Sequence, residues 1–196
     1  MLTVHKSDGK TVWVDLCEPT EEELAQACRD YGLDIPPREQ LDEIEFSSRL
    51  QYEDDVFTIS VPVTPHLKDS EEDFTSPLGF VLTRNILVTI RFAHLHTFPA
   101  IIKRVERRPR TAPDIFMVIV EALVDYGADR LEELRAEALA ISNRIFHKEM
   151  RARQQTSVKR VNRMLRDTLV EIGDMGERLS HIRDTLLVMQ RAVPFV

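Results

Sequence analysis

The sequence contains few cysteines and no long apolar run. Cys17 and Cys28 are its two cysteines, too few for a disulfide framework, and no Cys-X-X-Cys pair is present to hold a structural zinc ion. No window reaches the roughly 18 apolar residues that a membrane-spanning helix needs, and the N-terminus lacks the apolar core of a signal peptide. These absences exclude the disulfide-rich secreted proteins and predict that the chain is soluble as given.

The familiar catalytic and nucleotide-binding motifs are also missing. The chain has 6 glycines, and it contains no glycine-rich phosphate-binding loop, Gly-X-Ser-X-Gly or His-Glu-X-X-His. Cys17 follows a predicted strand and Cys28 lies on the apolar face of a predicted helix, so both are interpreted as core residues. His94 and His96 would share a face on a strand and could ligate a metal there, but ordinary polar loop residues are the favoured interpretation. We therefore expect that the chain is not an enzyme.

Acidic residues outnumber basic ones, but unevenly along the chain. There are 33 Asp and Glu against 26 Lys and Arg, a formal net charge of −7. Residues 1–96 carry 19 acidic and 8 basic side chains, whereas residues 97–196 carry 14 and 18. A net acidic chain without a basic patch argues against a nucleic-acid partner. The net charge is therefore negative in the first half and positive in the second, which predicts two layers with different roles.

The pattern of residues 1–110 predicts a lobe that mixes strands and helices. A first helix is expected after Thr20, which forms a capping box with Glu23, and it should end at Gly32. Further helices are expected from Pro37 to about Glu45 and over residues 98–107. Alternating apolar residues predict strands over residues 11–16, 50–52, 56–63, 78–83 and 86–91.

From Asp114 onward the apolar residues recur in alternating steps of three and four. One series runs from Met117 to Ile145 and a second from Val158 to Met189, with a polar joint at residues 150–157 between them. A 3.5-residue repeat kept this long predicts two coiled-coil-like helices, and the short joint predicts an antiparallel hairpin over residues 111–196. The apolar end of the chain, without a polar tail, suggests a piece of a longer protein.

Three groups of carboxylates are candidate cation ligands, because oxygen clusters suit hard ions such as Mg²⁺ or Ca²⁺. Asp42 and Glu43 lie on the short second helix, and Glu121 and Asp125 lie four residues apart on one face of the first long helix. The third group crowds the loop at residues 69–73. A solvated acidic surface is the alternative. It is favoured for the loop and weaker for Glu121, whose neighbours are mostly apolar.

Taken in order, several segments resemble one family. They are Trp-Val-Asp-Leu at 13–16, Leu-Asp-Glu-Ile-Glu-Phe at 41–46, Phe-Val-Leu-Thr-Arg-Asn at 80–85, Glu-Ala-Leu-Val-Asp at 121–125 and Ile-Arg-Asp-Thr-Leu-Leu at 182–187. In this order and spacing, from about Thr11 to the end, the chain resembles the cytoplasmic domain of CorA-type divalent-cation transporters, which include the ZntB branch.

The resemblance implies an α+β fold, in which an α/β/α sandwich lobe with a mixed sheet is followed by a long antiparallel helical hairpin. In full-length relatives a stalk helix and two membrane helices with a Gly-Met-Asn signature come next. This chain is therefore expected to be the cytoplasmic part of an inner-membrane protein, joined to the membrane through segments that it lacks.

The resemblance also implies a homopentamer whose pore is held shut by regulatory Mg²⁺ bound between neighbouring subunits. Carried over by position, the ligands are Asp42 and Glu43 from the short helix and Glu121 from the long helix, where Asp125 shares its face. Glu stands at positions 43 and 121 where the family commonly has Asp, which changes the reach of the carboxylate. The stalk ligand is missing, so weak metal binding is expected. A stand-alone coiled-coil interaction module with no metal role is the alternative.

Overall fold

A mixed sheet with helices on both faces organises the chain. The structure is a computed structural model that describes residues 1–7, 9–42, 49–65, 74–108, 110–152 and 158–196. The strands are β1 (Leu2–Ser7), β2 (Lys10–Cys17), β3 (Leu50–Glu53), β4 (Val56–Val63), β5 (Ser76–Leu82) and β6 (Leu87–Arg91). The helices are α1 (Glu21–Tyr31), α2 (Arg38–Leu41), α3 (Phe98–Glu106), α4 (Ala112–Ala152) and α5 (Val158–Phe195). The expected α+β fold with a mixed sheet is confirmed.

The sheet has the order β1-β2-β6-β5-β4-β3. Only β2 and β6 pair in parallel, among the strands that the structure describes. β5 and β6 are buried along their whole lengths because helices cover both faces of the sheet. The edge strand β1 was not predicted. It pairs antiparallel with β2 through a turn in which Gly9 takes a left-handed φ of 78°.

The first helix has the expected boundaries. The Thr20 hydroxyl accepts a hydrogen bond from the Glu23 N–H at 3.2 Å, and the Glu23 carboxylate accepts one from the Thr20 N–H at 3.1 Å. Gly32 ends the helix in the left-handed conformation with φ 64°. The short helix α2 ends at Leu41, and the remainder of the predicted span to Glu45 falls mainly on residues 43–48, outside the described residues.

Two cores lie on opposite faces of the sheet. On one face, α3, α4 and the end of α5 cover the strands, and Phe116 of α4 meets Phe80 of β5 edge-to-face with ring centroids 5.3 Å apart. On the other face, α1 and α2 pack through Ala27 and Leu41. The Ser60 hydroxyl donates to the Leu41 carbonyl at 2.6 Å and so fixes the end of α2 against the sheet.

The two long helices form the expected antiparallel pair. Arg178 of α5 bonds Glu137 of α4 at 2.8 Å, and Arg144 pairs with Glu171 further out. A Cβ at Gly127 would lie 3.4 Å from the Leu186 side chain, so the helices approach closely there. The joint at residues 153–157 lies outside the described residues. None of the helices in the described ranges is long and apolar enough to cross a bilayer.

The predicted seam between the helices is only partly correct. Gly127 and Leu134 are buried, but Met117, Val124 and Leu131, which belong to the same predicted series, are 46%, 40% and 36% exposed. The reason is that the first turns of α4 pack against the sheet. That contact uses a neighbouring stripe of side chains, so alternate members of the 3.5-residue series point outward.

Candidate functional site

Asp42, the first of the predicted cation ligands, lies at the end of α2. Asp42 caps this helix, is exposed, and pairs with Arg38 one turn earlier, with 3.3 Å between Nε and Oδ2. Both side chains are about half exposed, so this ion pair contributes little stability and leaves the carboxylate open to another cation. Glu43 lies outside the described residues.

The second pair lies on α4. Glu121 is exposed, and its carboxylate accepts a hydrogen bond of 2.6 Å from Arg104 of α3. Asp125 is also exposed, one helical turn further along. The Arg104 and Glu121 side chains are each roughly half exposed. Their ion pair therefore contributes about 1 kcal/mol or less to stability. A divalent cation could therefore compete with Arg104 for Glu121.

One chain places Asp42 and Glu121 on different sides of the sheet. Leu41, just before Asp42, packs into the core beneath α1 and α2, whereas Ile119, near Glu121, packs into the core beneath α3 and α4. In the described part of the chain, no cluster of three or more potential ligands contains Asp42, Glu121 or Asp125. A site that combines them therefore needs more than one copy of the chain.

Apolar side chains surround Glu121 on the outward face of α4. Met117 lies one turn before it and Val124 nearly one turn after it, both exposed, and Leu131 continues the row. We call Met117, Glu121, Val124, Asp125 and Leu131 the outer face of α4. Contiguous exposed apolar surface marks sites that another chain covers, so the outer face of α4 is a candidate contact surface.

A buried ion pair between neighbouring strands was not predicted. Asp15 of β2 and Arg91 of β6 are 1% and 9% exposed, and Arg91 bonds the Asp15 carboxylate through both Nε and Nη2. Thr89 donates to Asp15 at 2.7 Å and accepts from the Trp13 indole at 3.0 Å. The network holds together the carboxyl ends of the parallel pair β2 and β6. The sequence signal was Asp15 and Arg91 at the ends of apolar strands.

A second group of potential ligands lies beside this network. Cys17 ends β2, Glu18 follows it, and His94 lies in the loop after β6, as the interpretation of His94 as a loop residue expected. The Cys17 Sγ lies 3.7 Å from His94 Nδ1, and a Glu18 carboxylate oxygen lies 3.6 Å from His94 Nε2. Burial raises the pKa of the Cys17 thiol, although the Arg91 guanidinium opposes the shift. His94 lies 77 residues after Cys17 in the sequence, so no local sequence pattern could predict this contact.

Known relatives match nearly the whole chain. It is 29% identical over 192 residues to the magnesium transport protein CorA of Campylobacter jejuni (strain RM1221), which covers 93% of this chain and 55% of that protein. To the magnesium transport protein CorA of Wolinella succinogenes it is 27% identical over 194 residues, covering 95% and 56%. The chain thus spans about half the length of the curated relatives it matches.

Solved structures share the fold. The complete CorA magnesium transporter from Methanocaldococcus jannaschii aligns with a TM-score of 0.54 at 17% identity, covering 93% of this chain and 65% of that one. The full-length CmaX protein aligns with a TM-score of 0.59 at 12% identity, covering 95% and 66%. A family model described as "CorA-like Mg2+ transporter protein" matches residues 8–193. With almost every residue inside that match, the chain belongs to the CorA-like Mg²⁺ transporter family.

Proposed function

We propose that this chain is the cytoplasmic regulatory domain of a CorA-like divalent metal ion transporter of the cell inner membrane. The family match over residues 8–193 supports a role in Mg²⁺ transport, and Co²⁺, Ni²⁺ or Zn²⁺ are further possible cargoes. The domain would comprise a lobe at residues 1–110 and a helical hairpin at residues 111–196. It would reach the membrane through segments beyond this chain, and it would have no enzymatic activity and no nucleic-acid partner.

The outer face of α4 is the observation that carries the regulatory part of the proposal. Its exposed apolar residues favour contact with a second copy, and burying Glu121 or Asp125 in such a contact requires a compensating positive charge. Bound Mg²⁺ supplies that charge. Without it, carboxylates at the boundary repel one another and the subunits separate, so the cation shifts a two-state equilibrium that gates the pore.

Asp42 and Glu43 would come from the neighbouring copy in a homo-oligomer, a pentamer in the full-length protein. Asp42 and Glu121 lie on helices that pack on opposite faces of the sheet, which supports a site assembled between chains. Both observed partners of these carboxylates, Arg38 and Arg104, form exposed ion pairs that an incoming divalent cation can displace at small cost.

The test is the oligomeric stability of the full-length protein as Mg²⁺ is titrated, measured by sedimentation or by resistance to dissociation in detergent. Mg²⁺ should stabilise the oligomer, and the double variant Glu43→Ala/Glu121→Ala should lose that response. The matched control is Asp129→Ala with Glu132→Ala, which removes the same charge from α4 further along the helix. An unchanged response in the first double variant would contradict the assignment of these ligands.

A stand-alone coiled-coil interaction module is the second candidate. It is favoured by a row on α5 in which Leu165, Ile172 and Leu179, spaced seven residues apart, are about half exposed. The reading frame distinguishes the two functions. The transporter proposal requires two apolar segments of about 20 residues, joined near Gly-Met-Asn, downstream of residue 196; a module would have none.

A further inference from the structure

We propose that Cys17, Glu18 and His94 form a binding site for a borderline-soft divalent cation, Zn²⁺ in particular, within a single chain. One potential ligand atom from each of the three residues lies within 4.8 Å of the others. The site is separate from the carboxylates of α2 and α4, and it does not depend on the proposed transport function.

The spacing of the sulfur and nitrogen donors fits tetrahedral zinc. Zn–S bonds of about 2.3 Å and Zn–N bonds of about 2.0–2.1 Å at a tetrahedral angle place the two donor atoms roughly 3.6 Å apart. Cys17 Sγ and His94 Nδ1 are 3.7 Å apart. An ion could therefore be accommodated between them with little rearrangement, once the thiol has lost its proton.

Glu18 completes the group from the other side of the imidazole ring. Its carboxylate lies 3.6 Å from His94 Nε2, so a small approach would let it accept a hydrogen bond from Nε2–H and keep Nδ1 unprotonated for the ion. Histidine ligands of metals commonly pair with a carboxylate in this way. A small rotation of the Glu18 side chain would instead bring an oxygen to the ion as a third ligand. In either position, removing the Glu18 carboxylate should weaken Zn²⁺ binding less than removing the Cys17 sulfur or the His94 ring nitrogen.

The backbone under the site is held by features that do not depend on a metal. Glu18 adopts a left-handed conformation with φ 46°, and its N–H donates to the Arg91 carbonyl at 2.7 Å. Arg91 is fixed by its buried pair with Asp15, and it is the register partner of Cys17 in the parallel pair. In open α/β sheets ligands bind outside the carboxyl ends of the strands, and β2 and β6, the parallel pair of this mixed sheet, end at the proposed site. Two rigid strand ends therefore present the donors.

The donor types select against Mg²⁺. A hard cation prefers oxygen ligands, whereas thiolate and imidazole suit zinc and its neighbours in the first transition row. Cys17 is buried at 4% exposure, and the Glu18 and His94 side chains are more than half exposed. The ion would thus be reached from solvent on one side and would complete its coordination with water.

Co²⁺ and Zn²⁺ binding to the purified 196-residue chain tests the proposal. Co²⁺ should produce a thiolate-to-metal charge-transfer band at one equivalent per chain, and Zn²⁺ should abolish it while a large excess of Mg²⁺ should not. The band should be lost in Cys17→Ser and retained in Cys28→Ser, which replaces the other cysteine. His94→Gln should weaken Zn²⁺ affinity at least tenfold, and His96→Gln in the same loop should leave it unchanged.

Several outcomes would overturn the site. These are the absence of a charge-transfer band, a band that follows Cys28 instead of Cys17, displacement by Mg²⁺, or equal Zn²⁺ affinity in His94→Gln and the parent chain. Because His94 is exposed, its variant should fold even if Cys17→Ser does not. Failure of Zn²⁺ binding would leave the Mg²⁺ response of the oligomer untouched, and the reverse also holds, so the two proposals fail separately.

Discussion

Arg91 forms a buried ion pair with Asp15 across the parallel strands β2 and β6, with 2.7 Å between Nη2 and Oδ2. The guanidinium also lies over the Phe98 ring, 4.4 Å from its centroid. A charged pair this deep must have its hydrogen bonds satisfied, and Thr89 supplies a further donor to the carboxylate. The pair therefore ties the two strands to the start of α3.

Asp15→Ala should destabilise the chain by about 3–5 kcal/mol, because it leaves the Arg91 guanidinium buried without its counter-charge. Urea unfolding followed by circular dichroism measures the change. The control is Asp42→Ala in Mg²⁺-free buffer, which removes an exposed ion pair and should cost less than about 1 kcal/mol. Equal losses in the two variants would show that Asp15 and Arg91 do not act as a buried pair.

Gly79→Ala should lower the stability by about 1–3 kcal/mol, the usual cost of overpacking a core. A Cβ at position 79 would lie 2.7 Å from Leu41 Cδ1 and 3.2 Å from Ile90 Cδ1. The double variant with Leu41→Ala should therefore lose less than the sum of the single variants in thermal unfolding. In contrast, a Cβ at Gly173 of α5 would have no other atom within 4 Å. Gly173→Ala should therefore raise the free energy of unfolding, by up to about 1 kcal/mol, because Ala favours the helix over Gly. Additive effects at positions 79 and 41 would contradict the close contact.

His5 should make the stability fall as the pH decreases below about 6.5. Burial against Trp13, with ring centroids 4.4 Å apart, lowers the pKa of His5 from its ordinary value of 6.5. The unfolded chain then binds a proton more readily than the folded chain, so stability is complete above the unfolded pKa and is lost as pH falls through the folded pKa.

Unfolding free energies measured between pH 7.5 and about 5 check this dependence. His5→Phe keeps an aromatic ring on Trp13 and should flatten the profile between these values. His96→Gln, at an exposed histidine, should retain the parent profile. A His5→Phe profile as steep as that of the parent would refute the role of His5.

Arg104→Ala should increase the sensitivity of the oligomer to Mg²⁺. The substitution frees Glu121 from its 2.6 Å hydrogen bond and raises the negative potential on the outer face of α4. The Mg²⁺ midpoint for stabilising the full-length oligomer should fall about twofold to fivefold, the equivalent of an exposed ion pair of up to 1 kcal/mol. Lys103→Ala, one residue away on α3, removes the same charge and should change the midpoint less. A midpoint that rises in Arg104→Ala would contradict Glu121 as a ligand.

Features fixed by neighbouring residues were predictable. The capping box of α1 needs only Thr20, Glu23 and their intervening backbone, and the structure has it with the expected bonds. The turn between β3 and β4 is similarly local, with Asp54 and Asp55 both in left-handed conformations. The edge strand β1 was not predicted, because Leu2 and Val4 are its only apolar residues, and both are partly exposed at the edge of the sheet.

The ligand residues show the limit of local patterns. That Glu121 and Asp125 share a helix face follows from their spacing, but their competition with Arg104 depends on how α3 packs on α4. Likewise, Cys17 and His94 are 77 residues apart and meet because β2 and β6 pair in parallel. Each residue alone suggested a core position or an ordinary loop.

The sequence by itself determined the order of the helices and of strands β2 to β6, the two long helices and the acidic character of the first half, because periodicity and capping act within a few residues. Only the tertiary structure decided which stripe of α4 lies on the sheet, and so left Met117 and Val124 exposed beside Glu121. It also decided that Asp15 meets Arg91. Such contacts depend on strand order and on which helix face buries the most apolar surface, and these are properties of the whole chain.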